Sequence, residues 1–100
     1  MKESDIEAKL VRGVKALGGV AYKFISPGHP GVPDRLVVLP GGKVIFVELK
    51  TEIGRLSKVQ LYECGQLEAR GCEVAVLYGL NAVKYFLMEC REEMDGCVSE

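Results

Sequence analysis

The chain has 100 residues, 48% hydrophobic and 27% charged, with a net charge of −1, the balance of one globular domain rather than a disordered or fibrous chain. No apolar run approaches the roughly 18 residues that span a bilayer, and the opening Met1-Lys2-Glu3-Ser4-Asp5 has no signal-peptide character. Cys64, Cys72, Cys90 and Cys97 show neither C-x-x-C spacing nor a histidine cluster, so they read as thiols of a reducing compartment and not as a zinc site.

In chain order, Ser4-Asp5-Ile6-Glu7 reads as a capping box opening a first helix. Ile6, Leu10, Val14 and Leu17 give it a buried stripe, and Gly18-Gly19 ends it. Val20–Ile25 reads as a first strand. A loop rich in turn residues follows, from Ser26 to Pro33, with three prolines. Arg35–Leu39 and Val44–Val47 are two apolar runs separated by Pro40-Gly41-Gly42, a hairpin signal. They are apolar on both faces, which predicts a sheet covered on both sides. Thr51–Leu56 connects to a second capping box, Ser57-Lys58-Val59-Gln60, whose helix runs to about Arg70 with Leu61, Cys64 and Leu67 along it and Gly71 as its stop. Glu73–Tyr78 alternates as a fourth strand. Asn81 caps a final helix to about Met94, with Val83, Phe86, Leu87 and Cys90 on one face and Tyr85 and Met88 off it. The single domain is expected over 1–94, with a frayed tail over 95–100.

The hairpin carries the functional signal. If Leu39 pairs with Lys43 across the three-residue loop, paired positions sum to 82 and Asp34 falls opposite Glu48. Side chains so placed lie about 4.5–5.5 Å apart. Two carboxylates that close repel, so a cation belongs between them. Lys50, two residues past Glu48, leaves on the same face. Two acids and a lysine at one sheet edge describe a divalent-metal site with a positioned cation, which is the chemistry of phosphodiester cleavage.

Each residue also has a plainer explanation. Asp34 follows a proline as turn aspartates do, and Glu48 with Lys50 could be an ordinary strand-end ion pair; it is their register together that points to a site. Glu7 is either the second acid of a capping box or, bordering the core-facing stripe, an acid turned towards the site. Gln60 is either the capping glutamine or a contact to the site. Arg35, Lys43, Arg55 and Lys58 are candidate phosphate contacts, and a solvated basic face would look the same. His29, the lone histidine, stays outside the catalytic set.

The ordered set of Glu7, the Gly31-Val32-Pro33-Asp34 turn, Glu48-Leu49-Lys50 and Gln60 resembles the virus-type replication-repair nuclease domain, VRR-NUC, of the PD-(D/E)xK nuclease superfamily, over about Glu3 to Gly79. The resemblance implies an α/β, restriction-endonuclease-like αβββαβ core with a mixed sheet flanked by helices. It implies Mg²⁺- or Mn²⁺-dependent endonuclease activity, often on branched DNA such as four-way junctions, and a homodimer. Asp34, Glu48 and the backbone carbonyl of Leu49 would then bind metal, Glu7 would join them directly or through water, Lys50 would serve the attacking water and the phosphate, and Gln60 would contact the site. Bacterial and phage members place such a protein in the cytoplasm of a bacterial or phage-infected cell. A catalytically silent nucleic-acid-binding subunit and an RNA nuclease on the same fold stay open as alternatives.

Net charge first argues against a nucleic-acid partner, but its distribution reverses that. Residues 1–58 balance at +4 and residues 59–100 at −5, and three acids of the basic half are Glu7, Asp34 and Glu48. The alternative is a chance asymmetry whose signs mix in space.

Overall fold

The computed structural model describes residues 2–98. Its elements run α1 (Glu3–Ala16), β1 (Val20–Lys23), β2 (Arg35–Val38), β3 (Val44–Lys50), α2 (Lys58–Ala69), β4 (Glu73–Tyr78) and α3 (Gly79–Val98). The four strands form one sheet in the order β1-β2-β3-β4. The first two pairings are antiparallel and β3–β4 is parallel, so the sheet is mixed as expected.

The hairpin register is the one its loop length dictates. Val38 pairs with Val44, Val37 with Ile45, Leu36 with Phe46 and Arg35 with Val47. The Leu39 N–H donates to the Lys43 carbonyl at 2.9 Å, and Gly41 and Gly42 supply the positive φ the turn needs, 91° and 87°. A one-residue slip would turn Val37, Ile45 and Val47 out of the core, which is why apolar patterning and loop agree.

α1 and α3 lie on one face of the sheet and bury the core: Ile6, Leu10 and Val14 from α1, Val37, Ile45, Val47 and Leu49 from the sheet, Val83, Phe86 and Cys90 from α3. The other face is covered only in part, contrary to the expectation from doubly apolar strands. α2 packs over β4, and of its residues only Cys64 is buried. Val20, Tyr22 and Val44 on that face are about half exposed. A helix of 12 residues cannot cover four strands.

Two helix ends differ from the sequence reading. α1 begins at Glu3, with Lys2 as its N-cap and the Lys2 N–H donating to Asp5 Oδ2 at 3.3 Å, so Ser4 does not cap and Glu7 is not a capping acid. α3 starts at Gly79 rather than Asn81 and runs past Met94 to Val98, where a frayed tail was expected. Extending a helix already formed adds a hydrogen bond per residue without a new nucleation cost. Residues 99–100 of that tail and the Cys97 thiol lie outside what is described. Cys64, Cys72 and Cys90 are free thiols.

Candidate active site

β1, β3 and β4 all end, and β2 begins, at the same edge of the sheet, because β1 and β3 both run antiparallel to β2. Everything the chain places at that edge comes from strand ends or helix starts, where backbone direction fixes which side chains converge.

Asp34 sits one residue before the paired part of β2. Its carbonyl accepts from the Phe24 N–H at 2.7 Å, which ties it to β1. On its other side the register sets it opposite Glu48, and the Asp34 backbone favours the charged form of the Glu48 carboxyl. The turn leading into it is fixed from outside: Pro33 is fully buried, and Gly31, at φ 97°, lies so close to Val59 of α2 that a Cβ there would stand 2.9 Å from the Val59 carbonyl. Glycine is required there by both conformation and space.

Glu48 is the buried acid of the described chain, 8% exposed. Burial first, and Asp34's negative charge second, push its carboxyl above the ordinary value of 4.5, while the Lys50 ammonium and the Asp34 backbone pull the other way. Lys50 Nζ lies 3.9 Å from Glu48 Oε2 on the same face. Leu49 between them buries its side chain in the core at 2% exposure, so the strand is held rigidly where the two polar residues leave it.

Gln60 bonds both to the start of its own helix and to Glu48. Its Oε1 accepts from the Ser57 N–H at 2.8 Å and its own N–H donates to Ser57 Oγ at 3.1 Å, completing the capping box of α2. Its Nε2 donates to Glu48 Oε2 at 3.3 Å. The amide has an acceptor end for the helix and a donor end for the carboxylate.

Glu7 faces the sheet edge, as its place beside the core stripe suggested. Its Oε1 accepts from Arg35 Nη2 at 2.7 Å. Lys23 links it to Asp34: the Lys23 ammonium is 4.0 Å from Glu7 Oε1 and 3.8 Å from Asp34 Oδ2. Sequence reasoning gave Lys23 no part. The pairing of Lys23 with Arg35 would have placed it there, but the long loop between β1 and β2 does not fix that register.

The candidate phosphate contacts separate. Arg35 turns inward; its guanidinium holds Glu7 and the Ala21 carbonyl at 3.3 Å, and its side chain is 14% exposed. Lys43 lies at the turn end of β3, the opposite end of the strand from Lys50, paired with Glu73 and Glu93. Arg55 and Lys58 are exposed, in the loop after β3 and at the start of α2. His29 is exposed, its Nδ1 3.7 Å from Glu63 Oε2.

No family model matches the chain. It is 52% identical over 77 residues, 77% of this chain and 83% of the relative, to the protein named "Putative nuclease p44" of Acyrthosiphon pisum secondary endosymbiont phage 1. Among solved structures it is similar to a VRR_NUC domain, with a TM-score of 0.81 and 32% identity, covering 86% of this chain and 94% of that one.

Proposed function

Because the chain belongs to the VRR-NUC nuclease family, we propose that it is a Mg²⁺- or Mn²⁺-dependent endonuclease hydrolysing DNA phosphodiester bonds, with Asp34, Glu48 and Lys50 at its centre. The observation that carries this is the buried Glu48 carboxylate held opposite Asp34, with Lys50 and Gln60 against it.

The donor set fits a hard divalent cation. Among the described residues no three carboxylate, cysteine or histidine side chains converge to cage a metal alone. Mg²⁺ is ordinarily held by one or two carboxylates, with water and substrate phosphate filling its shell. Asp34, Glu48 and the Leu49 carbonyl would supply oxygens, and Glu7 would act through water, since its carboxylate is engaged by Arg35. A bound ion would polarise the phosphoryl oxygen and acidify the attacking water.

The chain's own groups supply the rest. Lys50 sets a positive charge where negative charge accumulates on the phosphate. Gln60 fixes one oxygen of Glu48 and so its lone-pair direction. Lys23 and Arg35 hold Glu7 and steady Asp34; Arg35 is thus assigned to positioning rather than to phosphate. Arg55 and Lys58, exposed beyond the strand edge, are left to meet substrate phosphates.

One domain carries one such centre, so paired cuts in a four-way junction need two copies. We assign the protein as a homodimer that nicks opposite strands of branched DNA in a bacterial or phage-infected cytoplasm. Light scattering at micromolar concentration should give twice the chain mass of 10.9 kDa.

The test is plasmid nicking with Mg²⁺, Mn²⁺ or EDTA beside labelled RNA. Nicking should need the metal and vanish in Asp34→Ala, Glu48→Ala and Lys50→Ala with unchanged far-UV circular dichroism. Binding without cleavage would mark a silent subunit, cleavage of RNA alone an RNA nuclease, and full activity in any of the three variants would remove the site.

A further inference from the structure

We propose that the cleft between α1 and α3 is a second nucleic-acid contact surface, distinct from the carboxylate edge, that grips the phosphate backbone of a substrate arm. That the arm belongs to a substrate rests on the nuclease reading above; that the cleft takes phosphates rests on its own chemistry.

Both helices start at the catalytic edge. Glu7 of α1 stands at the site, and Gly79 of α3 follows Tyr78, which pairs with Lys50 in register. The helices then run side by side away from it. Asp5 and Leu80 line the near end of the cleft and Ala16 and Arg91 the far end, in two adjoining hollows of about 550 and 260 Å³. Gly13 permits this close approach, since a Cβ there would overlap Leu87. The floor is therefore narrow and apolar.

Its rims are cationic. Lys9 and Arg12 come from α1, Lys84 and Arg91 from α3. Arg12, Lys84 and Arg91 are exposed and Lys9 is half-buried. None of the four forms an ion pair among the described residues. Lys23, Arg35, Lys43 and Lys50, by contrast, each have a carboxylate oxygen within 4.0 Å. Asp5 is the acid lining the cleft, and its carboxylate already accepts from the Lys2 N–H.

Four unpaired cations along a groove call for a polyanion. Lys84 and Arg91 are seven residues apart, about 10 Å along the helix, and a duplex strand carries a phosphate roughly every 3.4 Å of its axis. The groove thus faces about three successive phosphates. A second copy of the chain fits badly. A two-fold contact sets a patch against itself, which here would bring Lys84 and Arg91, flanking the half-exposed Met88, against their own equivalents.

The test measures binding by fluorescence anisotropy in EDTA, so that no strand is cut, across a salt titration with a labelled DNA four-way junction and its RNA counterpart. The variant Lys9→Gln/Arg12→Gln/Lys84→Gln/Arg91→Gln should bind at least tenfold more weakly at low salt. Its log–log salt slope should fall by about three, at roughly 0.9 per lost phosphate contact. Arg12→Lys/Arg91→Lys should keep the slope, and melting curves confirm that both variants fold. A slope and affinity equal to wild type overturn the proposal. So does a change of oligomeric mass in the glutamine variant, which would make the cleft a protein interface. Wild-type nicking in Mg²⁺, run in parallel, reads the nuclease assignment separately: it can succeed with an unchanged slope, or fail with a diminished one.

Discussion

Replacing Gln60 by glutamate separates the two bonds its amide makes. Glutamate still accepts from the Ser57 N–H, as the capping position allows, but it loses the donor that reaches Glu48 Oε2 at 3.3 Å. A hydrogen bond to a charged group contributes about 1.5–3 kcal/mol, and the length of this one and its partial exposure put it near the lower end. For a domain of this size about 1.5 kcal/mol corresponds to roughly 6–12 °C in melting temperature. A third carboxylate against Asp34 and Glu48 adds repulsion, which the site can relieve by taking up a proton. Gln60→Glu should therefore melt well below wild type near pH 8 without metal. It should recover towards wild type near pH 5, where the introduced carboxyl, once protonated, donates again. Gln60→Ala loses the cap as well, a further ~1 kcal/mol, and should not recover. Mg²⁺-dependent nicking should fall at least tenfold in both. Thermal melts at the two pH values, beside plasmid nicking, decide the matter. If Gln60→Glu melts with wild type near pH 8 and cleaves normally, Gln60 only caps its helix.

Glu48→Gln should raise the melting temperature of the metal-free protein near pH 8 and lose that advantage near pH 4. Because the folded carboxyl is held above 4.5 by burial and by Asp34, the folded state binds the extra proton, so the contribution of Glu48 to stability is full below 4.5 and is lost as pH rises through the raised value; the difference between variant and wild-type melts across a pH series reads the sign directly. Gly31→Ala forces a side chain into φ 97° against the Val59 backbone. It should cost about 1–2 kcal/mol for conformation alone, and more for the overlap, with cleavage falling alongside; wild-type melting and activity would contradict the close packing. Lys43→Ala removes exposed pairs with Glu73 and Glu93 and should change stability by less than about 1 kcal/mol while leaving nicking intact, since the turn lies at the far end of β3; a clear loss of DNA affinity in anisotropy would restore Lys43 as a contact.

What could be read from the sequence was whatever short-range geometry determines. Three residues, Pro40-Gly41-Gly42, fix how β2 meets β3, and that register alone brings Asp34 to Glu48. The stripe Ile6, Leu10 and Val14 likewise fixes which way Glu7 points. Long connections hide their consequences. The loop from Phe24 to Asp34 leaves the β1 register free, so neither the place of Lys23 nor the inward turn of Arg35 could be read. Arg35 looked like a phosphate contact because a guanidinium at a strand start is usually solvated. Here it shares a face with Val37, towards α1, and meets Glu7. The start of α1 was misplaced because Ser4 suits an N-cap so well, whereas the fold makes Lys2 the N-cap and Asp5 the acid that accepts its N–H. The basic cleft was invisible for the same reason: Lys9 and Arg12 lie more than 70 positions before Lys84, and only packing joins them.

Apolar patterning explains most of this fold, and Glu48 is where it stops. The strand reads Val44, Ile45, Phe46, Val47, then an acid at 8% exposure, then Leu49 at 2%. A chain shaped by stability alone would bury an apolar side chain there, since an acid in that place is desolvated and repelled by Asp34. The surroundings do not neutralise it fully: Lys50 stands at 3.9 Å and Gln60 gives one long bond, and the carboxyl stays above its ordinary range. Residual strain of this kind is expected where a group is kept for what it binds rather than for the fold. The supports of Glu48 belong mainly to other tasks: Gln60 starts a helix, the Asp34 backbone ends a loop, and Leu49 fills the core. A carboxylate so fixed cannot swing away from its neighbour to relieve the repulsion. The reliefs left to it are a proton, which the raised carboxyl favours, and the cation proposed above; both tie the shape of the hairpin to the chemistry at its edge.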